Sequence, residues 1–313
     1  MSRDSSDPCF VVGAERSGST LLRLVLDGHS ELSFPHEYDF VLQSVNERGE
    51  RCDVAAYREW LRSNAVFRRS GFAIDESLDV DALNASFLAQ RSRGRVRVGG
   101  TAHGRFSRLL QLWPNARFVF LVRDPRAQSL SIVRMGWAGH VWRGVEPWLE
   151  AQREWATLCE QTRSDRRHVV RYEDFATDPA RTIQQLCAFL GVAFEPAMLR
   201  ISERSTYSDP SNRALDEWRT QLSPREQGLV DARVFPGASR FGYAPTTHAR
   251  GLPSSLERAT LEIADRIGRI RFACQRYGLR LYLARVAANR LGPEGWRRQV
   301  RERLYEVDQH HIR

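Results

Sequence analysis

Lysine is missing from this sequence. All 47 Lys/Arg positions of the 313-residue chain are arginine. The absence excludes a Schiff-base lysine, a lysine general acid and the lysine of an ATP-binding phosphate loop. Any clamp for phosphate or sulfate must therefore use arginine, backbone N–H or hydroxyl groups. Cysteine is sparse as well: Cys9, Cys52, Cys159, Cys187 and Cys274 are scattered, with no Cys-x-x-Cys pair. That argues against a disulfide framework or a zinc site and for free thiols. The eight histidines lack metal-ligand spacing, and His310-His311 reads as a solvated polar end. No run of eighteen apolar residues occurs, so no transmembrane helix is expected. Met1 to Asp7 is polar and lacks the apolar core of a signal segment. These absences lead to the expectation of a cytoplasmic protein without a metal.

The chain carries a formal net charge of +9 and is 42% hydrophobic. Its length and composition fit one large α/β domain with an appendage. The charge suits an anionic substrate, nucleic acid or a membrane surface. Cys9 to Val12 is an apolar run ending at Gly13 and predicts a buried strand, followed by a helix from about Ser17. Two or three helices are expected over 45–95, a short strand over Arg95–Gly99, and a helix over His103–Leu112. Phe118 to Val122 is the clearest strand, with a helix from Pro125. A further strand is expected at His168–Arg171, then a helix over Thr182–Leu190 ended by Gly191. This alternation implies a parallel sheet with crossover helices. Pro245-Thr246-Thr247 and Gly251-Leu252-Pro253 read as a linker, and Ser254–Arg303 reads as wholly helical. The division expected is a domain over 1–245 and a helical C-terminal extension over 246–313.

Two segments carry chemistry. Gly13-Ala14-Glu15-Arg16-Ser17-Gly18-Ser19-Thr20 lies between a strand and a helix, the setting of a phosphate-cradling loop. Ser19 stands where a kinase needs lysine, and Arg16 supplies a cation earlier in the loop. The strand Phe118–Val122 ends on Arg123 rather than a carboxylate that could hold Mg²⁺. The plain alternative is a strand–turn–helix corner rich in small residues. The second segment is Arg123 with Ser131 eight residues on. A guanidinium and a hydroxyl near a strand's carboxyl end make a clamp for a phosphate monoester. The plain alternative there is an Arg123 paired with Asp124.

Together these segments resemble the sulfotransferase superfamily, nearest in pattern to its tyrosylprotein-type and bacterial branch. Arg16 to Leu22 is similar to the family's 5′-phosphosulfate loop, and Arg123 with Ser131 to its 3′-phosphate motif. Arg171-Tyr172-Glu173-Asp174-Phe175, Leu186–Gly191 and Asn212–Trp218 add support, so the resemblance covers about residues 8–245. It implies a doubly wound, P-loop-like central parallel sheet flanked by helices. It also implies a metal-independent reaction with 3′-phosphoadenosine 5′-phosphosulfate (PAPS) as donor. Carried over by position, Arg16, Ser17, Gly18, Ser19 and Thr20 would hold the 5′-phosphosulfate. Arg123 and Ser131 would hold the 3′-phosphate, and Tyr172 would lie near the adenine.

The acceptor would be a hydroxyl of a carbohydrate, phenol, small metabolite or peptide tyrosine. Glu37 matches the base of the tyrosylprotein branch, and its rival is His103, with His36 third. Many relatives place a lysine in the segment Gly99–His103, where Gly100 stands here. Arg16 or His103 must then meet the charge on the leaving oxygen, or activity is weak. A nucleoside or small-molecule kinase and a weakly active PAPS-binding protein are the alternative readings. Arg266, Arg269, Arg271, Arg276, Arg280, Arg285 and Arg290 recur among carboxylates in the C-terminal helices. They read first as a solvated face, not a nucleic-acid site, and second as a basic rim for an anionic glycan or lipid headgroup. Trp137, Trp142, Trp148 and Trp155 read as core, with one or two left to line an acceptor cleft.

Overall fold

The computed structural model describes residues 7–92, 94–212, 215–249 and 251–309. Met1–Ser6, Arg213-Ala214 within the Asn212–Trp218 stretch, and His310-His311 lie outside the described residues. Five parallel strands form the centre: β1 (Cys9–Gly13), β2 (Leu32–Ser33), β3 (Arg97–Ala102), β4 (Arg117–Val122) and β5 (Arg167–Arg171). Their order is β2-β3-β1-β4-β5. The chain leaves β1 through helix α1 (Ser19–Asp27) toward β2 on one side. It leaves β4 through the helices Pro125–Arg134 and Glu146–Gln161 toward β5 on the other. The connections diverge at β1 and β4, which makes their carboxyl ends the place where an open α/β sheet binds ligands.

The unbroken apolar runs of β1 and β4 follow from burial on both faces. Cys9, Val11, Val119 and Leu121 pack with Leu22, Val25, Ile183 and Leu186 from α1 and the helix Pro179–Leu190. Phe10, Val12, Phe118, Phe120 and Val122 face the other way, onto Trp148, Trp155 and Leu158. Phe120 stacks on Trp155 at 4.6 Å between ring centroids. Alternation along each strand thus divides the core into two layers.

Several expected elements shift. The Arg95–Gly99 strand is found at Arg97–Ala102, and the helix expected over His103–Leu112 is a 3-10 turn (Phe106–Arg108) plus one α-helical turn (Leu109–Leu112). The strand runs through Gly99 and Gly100 because β1 comes so close; a Cβ on Gly99 would lie 1.6 Å from the Cys9 carbonyl oxygen. The helix starts late because Gly104 is left-handed (φ 48) and the His103 N–H is taken by the Asp39 carboxylate. The two-residue β2 is too short to carry a pattern. The C-terminal region is not wholly helical. Gly278 (φ 76, ψ 153) interrupts the helix Ser255–Leu291, and Gly292-Pro293 separates it from the helix Glu294–Gln309.

The first half of that long helix docks on the loop that follows Pro125–Arg134. Its buried Asp265 carboxylate accepts from the Gly139 N–H at 2.8 Å and the His140 N–H at 3.2 Å. Gly139 and Gly268 meet backbone to backbone; a Cβ on Gly268 would lie 2.3 Å from the Gly139 carbonyl oxygen. Asp265→Ala should leave two amides without acceptors and destabilise the fold by about 2–3 kcal/mol, read as a lower denaturant midpoint.

Candidate active site

Helix α1 begins at Ser19 with Gly18 as N-cap (φ 96), no side-chain cap hydrogen bond and no acid in its first turn. Its first N–H groups and its positive dipole end are therefore open to an anion. Gly18 is required on two counts. The backbone is left-handed, and a Cβ would lie 2.5 Å from the Tyr172 ring. Arg16 has a left-handed backbone, with φ at 66°. That turn sends its side chain across the sheet end, where Nε donates to Ser131 Oγ at 3.1 Å. Arg123 Nη1 donates to the Arg16 carbonyl oxygen at 3.2 Å, and its guanidinium lies 4.6 Å from the Tyr172 ring centroid. The structure thus brings Arg16 to Thr20, Arg123, Ser131 and Tyr172 together at the β1–β4 divergence.

Two buttresses hold this junction. Gln128 Nε2 donates to the Glu15 carbonyl oxygen at 3.0 Å, and Trp148 Nε1 donates to the Arg123 carbonyl oxygen at 3.0 Å. Arg123 does not pair with Asp124. That carboxylate is held by buried Arg126, Nε to Oδ1 at 2.9 Å and Nη2 to Oδ2 at 2.7 Å. Arg123 therefore has no carboxylate partner among the described residues. The Arg123 Nε and the Ser17 hydroxyl are both buried without a hydrogen-bond partner. Donors left open beside an uncapped helix start are what a doubly phosphorylated nucleotide would satisfy. Burial lowers the Arg16 pKa; the neighbouring Arg123 charge adds to this, and Tyr207 opposes it. Arginine stays charged all the same.

His103 reaches the loop from beyond β3. Its Nε2 lies 2.9 Å from Ser19 Oγ, and its Nδ1 lies 3.1 Å from Asp39 Oδ2. The side chain is 10% exposed. Burial pushes its pKa down, but the Asp39 charge and hydrogen bond, with Glu15 and Glu37, outweigh that and push it up to about 9. That direction favours a protonated ring, with hydrogen on the nitrogens that face Asp39 and Ser19, and it weighs toward Glu37 rather than His103 in the base role.

Glu37 is half-buried and pairs with Thr101 in an isolated parallel bridge, at the end of β3. It acts electrostatically on Arg23 and His103. His36 packs edge-on to Phe72 at 5.4 Å, and burial lowers its pKa to about 4. Gly100 is not a vacated lysine position. A Cβ there would meet the His36 carbonyl oxygen and the Tyr38 ring at 2.4 Å each. The side chain that meets the loop from this segment is His103. Sequence reasoning missed Asp39, Gln128 and Tyr207. Only Asp39 left a signal, as the second carboxylate of Glu37-Tyr38-Asp39. Of the tryptophans, Trp142, Trp148 and Trp155 are buried, and Trp137 is 54% exposed.

Residues 8–196 match the model of the sulfotransferase family. The chain belongs to the sulfotransferase family. Curated relatives include the protein-tyrosine sulfotransferase of Drosophila melanogaster, 25% identical over 270 residues, covering 75% of this chain and 51% of that protein. The chain therefore spans about half the length of that relative. Protein-tyrosine sulfotransferase 1 of Danio rerio is 26% identical over 267 residues, covering 75% of this chain and 72% of that protein. Among solved structures, the sulfotransferase domain from the curacin biosynthetic pathway superposes with a TM-score of 0.57 at 21% identity. It covers 77% of this chain and 99% of that one. That likeness shows the fold, a P-loop-like α/β sulfotransferase sheet.

Among the described residues of this sulfotransferase-family chain, no group of three or more His, Cys, Asp or Glu is placed to hold a metal ion. No described helix is long and apolar enough to cross a membrane. Asp39→Asn should remove the main support for the imidazolium, leave burial unopposed and lower the His103 pKa by about 1–3 units. Imidazole NMR titration reads this directly. Because the folded-state pKa is raised, the His103–Asp39 pair stabilises the fold fully below the ordinary histidine value of 6.5. That contribution is lost as pH rises toward about 9.

Proposed function

We propose that this chain transfers a sulfuryl group from PAPS to a hydroxyl acceptor, with its two anion cradles gripping the two phosphorylated ends of one nucleotide. The observation that supports this most is the contact of Arg16 Nε with Ser131 Oγ at 3.1 Å, which joins loops 115 residues apart. Arg16 with Ser17, Gly18, Ser19 and Thr20 takes the 5′ end; Arg123 and Ser131 take the 3′-phosphate; Tyr172 lies beside the adenine. PAPS supplies an activated sulfuryl group on a phosphate leaving group that gains negative charge. The residues of the chain are arranged to meet that charge. Arg16 and the α1 N–H groups present positive potential in a partly buried setting, and preorganised charge of this kind usually accelerates group transfer more than any other single effect. Ser19 accepts a hydrogen bond from the His103 imidazolium, so its own hydroxyl hydrogen is free to be donated. Glu37, a half-buried carboxylate at the end of β3 that acts electrostatically on His103, takes the acceptor's proton.

The acceptor within this reading is a phenolic hydroxyl, first of all a tyrosine in a polypeptide. The support is the pair of curated relatives named as protein-tyrosine sulfotransferases, whose matches span most of this chain. Exposed Trp137 suits an aromatic acceptor as well. A cytoplasmic location belongs to the same reading, supported by five cysteines that are all free.

The test is a binding and transfer assay on the purified chain with adenosine 3′,5′-bisphosphate, PAPS and tyrosine peptides. Arg123→Ala should weaken bisphosphate binding about tenfold to a hundredfold, the weight of a charge-assisted hydrogen bond. Arg16→Ala should lower turnover by about 10²–10³. Glu37→Gln should lower kcat by at least about 10² and leave bisphosphate affinity within about twofold. A glutamine variant with normal kcat removes Glu37 from the base role. The pH profile of kcat should fall near 9, where His103 loses its proton. An ATP- and Mg²⁺-dependent transfer in place of PAPS dependence would decide for the kinase alternative.

A further inference from the structure

Nine of the twelve large apolar side chains that stand exposed among the described residues lie between Leu252 and Trp296. In the helix Ser255–Leu291, Leu256, Ile263, Ile267 and Ile270 are 77%, 59%, 59% and 39% exposed. Steps of seven, four and three residues put them in one stripe. Leu261 and Asp265, on the opposite face, are buried, and Asp265 docks the body through Gly139 and His140. The stripe is therefore on the far side of the helix from the core, and only its end, Ile270, lines the groove beside Tyr282.

Charge is arranged around it. The carboxylates interspersed through the first part of this helix stop at Asp265. From Arg266 to Pro293 there are seven arginines and no Asp or Glu. At 100° per residue, Arg266 and Arg271 flank the stripe on its two sides. The break at Gly278 leaves a groove of about 510 Å³ between the halves of the helix. Arg266, Arg269, Arg285 and Arg290 line it with Ile270 and Tyr282, and no carboxylate does. Arg269 is engaged by Asp265 at 2.9 Å. Arg266, Arg285 and Arg290 have no carboxylate partner among the described residues.

We propose that this C-terminal element seats the enzyme on an anionic lipid surface. The aliphatic stripe enters the headgroup–acyl boundary, and the arginines meet lipid phosphates. A second copy on the same stripe would bring arginine flank against arginine flank. A soluble polyanion would satisfy the arginines and leave the isoleucines in water. A lipid surface answers both features. The element lies on the membrane and does not pass through it, because no described helix is long and apolar enough to cross. The proposal rests on exposure and charge and is independent of the sulfuryl-transfer reading.

The test is sedimentation of the full chain with vesicles of phosphatidylcholine alone or with about 30% phosphatidylglycerol. Binding is expected with the anionic vesicles and should fall as salt rises. Arg266→Glu with Arg290→Glu should weaken it at least about 25-fold. Ile263→Ser with Ile267→Ser should weaken it about tenfold. Both variants should keep the thermal shift with adenosine 3′,5′-bisphosphate, a readout of the intact fold. Arg290→Ser, a single exposed change, substitutes for any variant that fails to fold. Absence of binding to anionic vesicles, or equal binding to neutral ones, overturns the proposal. Binding that needs the arginines but is untouched by the isoleucine changes overturns it in favour of a general polyanion groove. A dimer in light scattering that the isoleucine changes dissolve, without vesicle binding, overturns it in favour of a second copy.

Discussion

The junction between Arg16 and the β4 loop is the contact on which the site depends. Arg16 uses its side chain to reach Ser131 and its carbonyl oxygen to hold Arg123, so one residue ties the two phosphate-binding segments at both ends. Those segments come from neighbouring strands whose connections run in opposite directions, which opens the space above them. Buried Gln128 and Trp148 fix the two backbones from beneath. The cradle is thus built before any ligand enters, and binding need not order it.

Loss of lysine shaped the rest. Ser19 stands in the loop where a kinase carries its cation, and its hydroxyl is too short to reach a phosphate chain in the same way. His103 comes to that hydroxyl from beyond β3, held by Asp39, whose charge favours the protonated ring. The group that meets the loop's helix start is therefore set by a pair 64 residues apart. Arg123 remains available for an anion because Arg126 occupies Asp124. Arginines that look alike in the sequence, Arg123 and Arg126, are divided into one without a carboxylate partner among the described residues and one that is paired, by which carboxylate each can reach.

Much of this was legible in the sequence. The runs Cys9–Val12 and Phe118–Val122 announce strands buried on both faces, and the glycines around Arg16 announce the loop. The eight-residue interval from Arg123 to Ser131 announces the second cradle. Other parts were hidden for physical reasons. β2 has two residues, which is below any period. The role of Gly100 depends on the approach of His36 and Tyr38, which is a tertiary fact. The protonation of His103 depends on Asp39, and nothing in the spacing of 39 and 103 links them. In the C-terminal helices the hydrophobic pattern was visible, but only the docking of Asp265 tells which face is inward and which stripe is left bare.

One feature of the loop pulls stability and chemistry in opposite directions. Arg16 adopts a left-handed backbone that suits glycine, and a residue with a Cβ is strained there by about 1–2 kcal/mol. A glycine at this position would relax the turn and firm up the fold, and it would remove the guanidinium that joins the two cradles. Selection for robustness alone would therefore erode this corner first. That the chain keeps a long cationic side chain on such a backbone marks position 16 as one where stability is given up for the contact between the two loops.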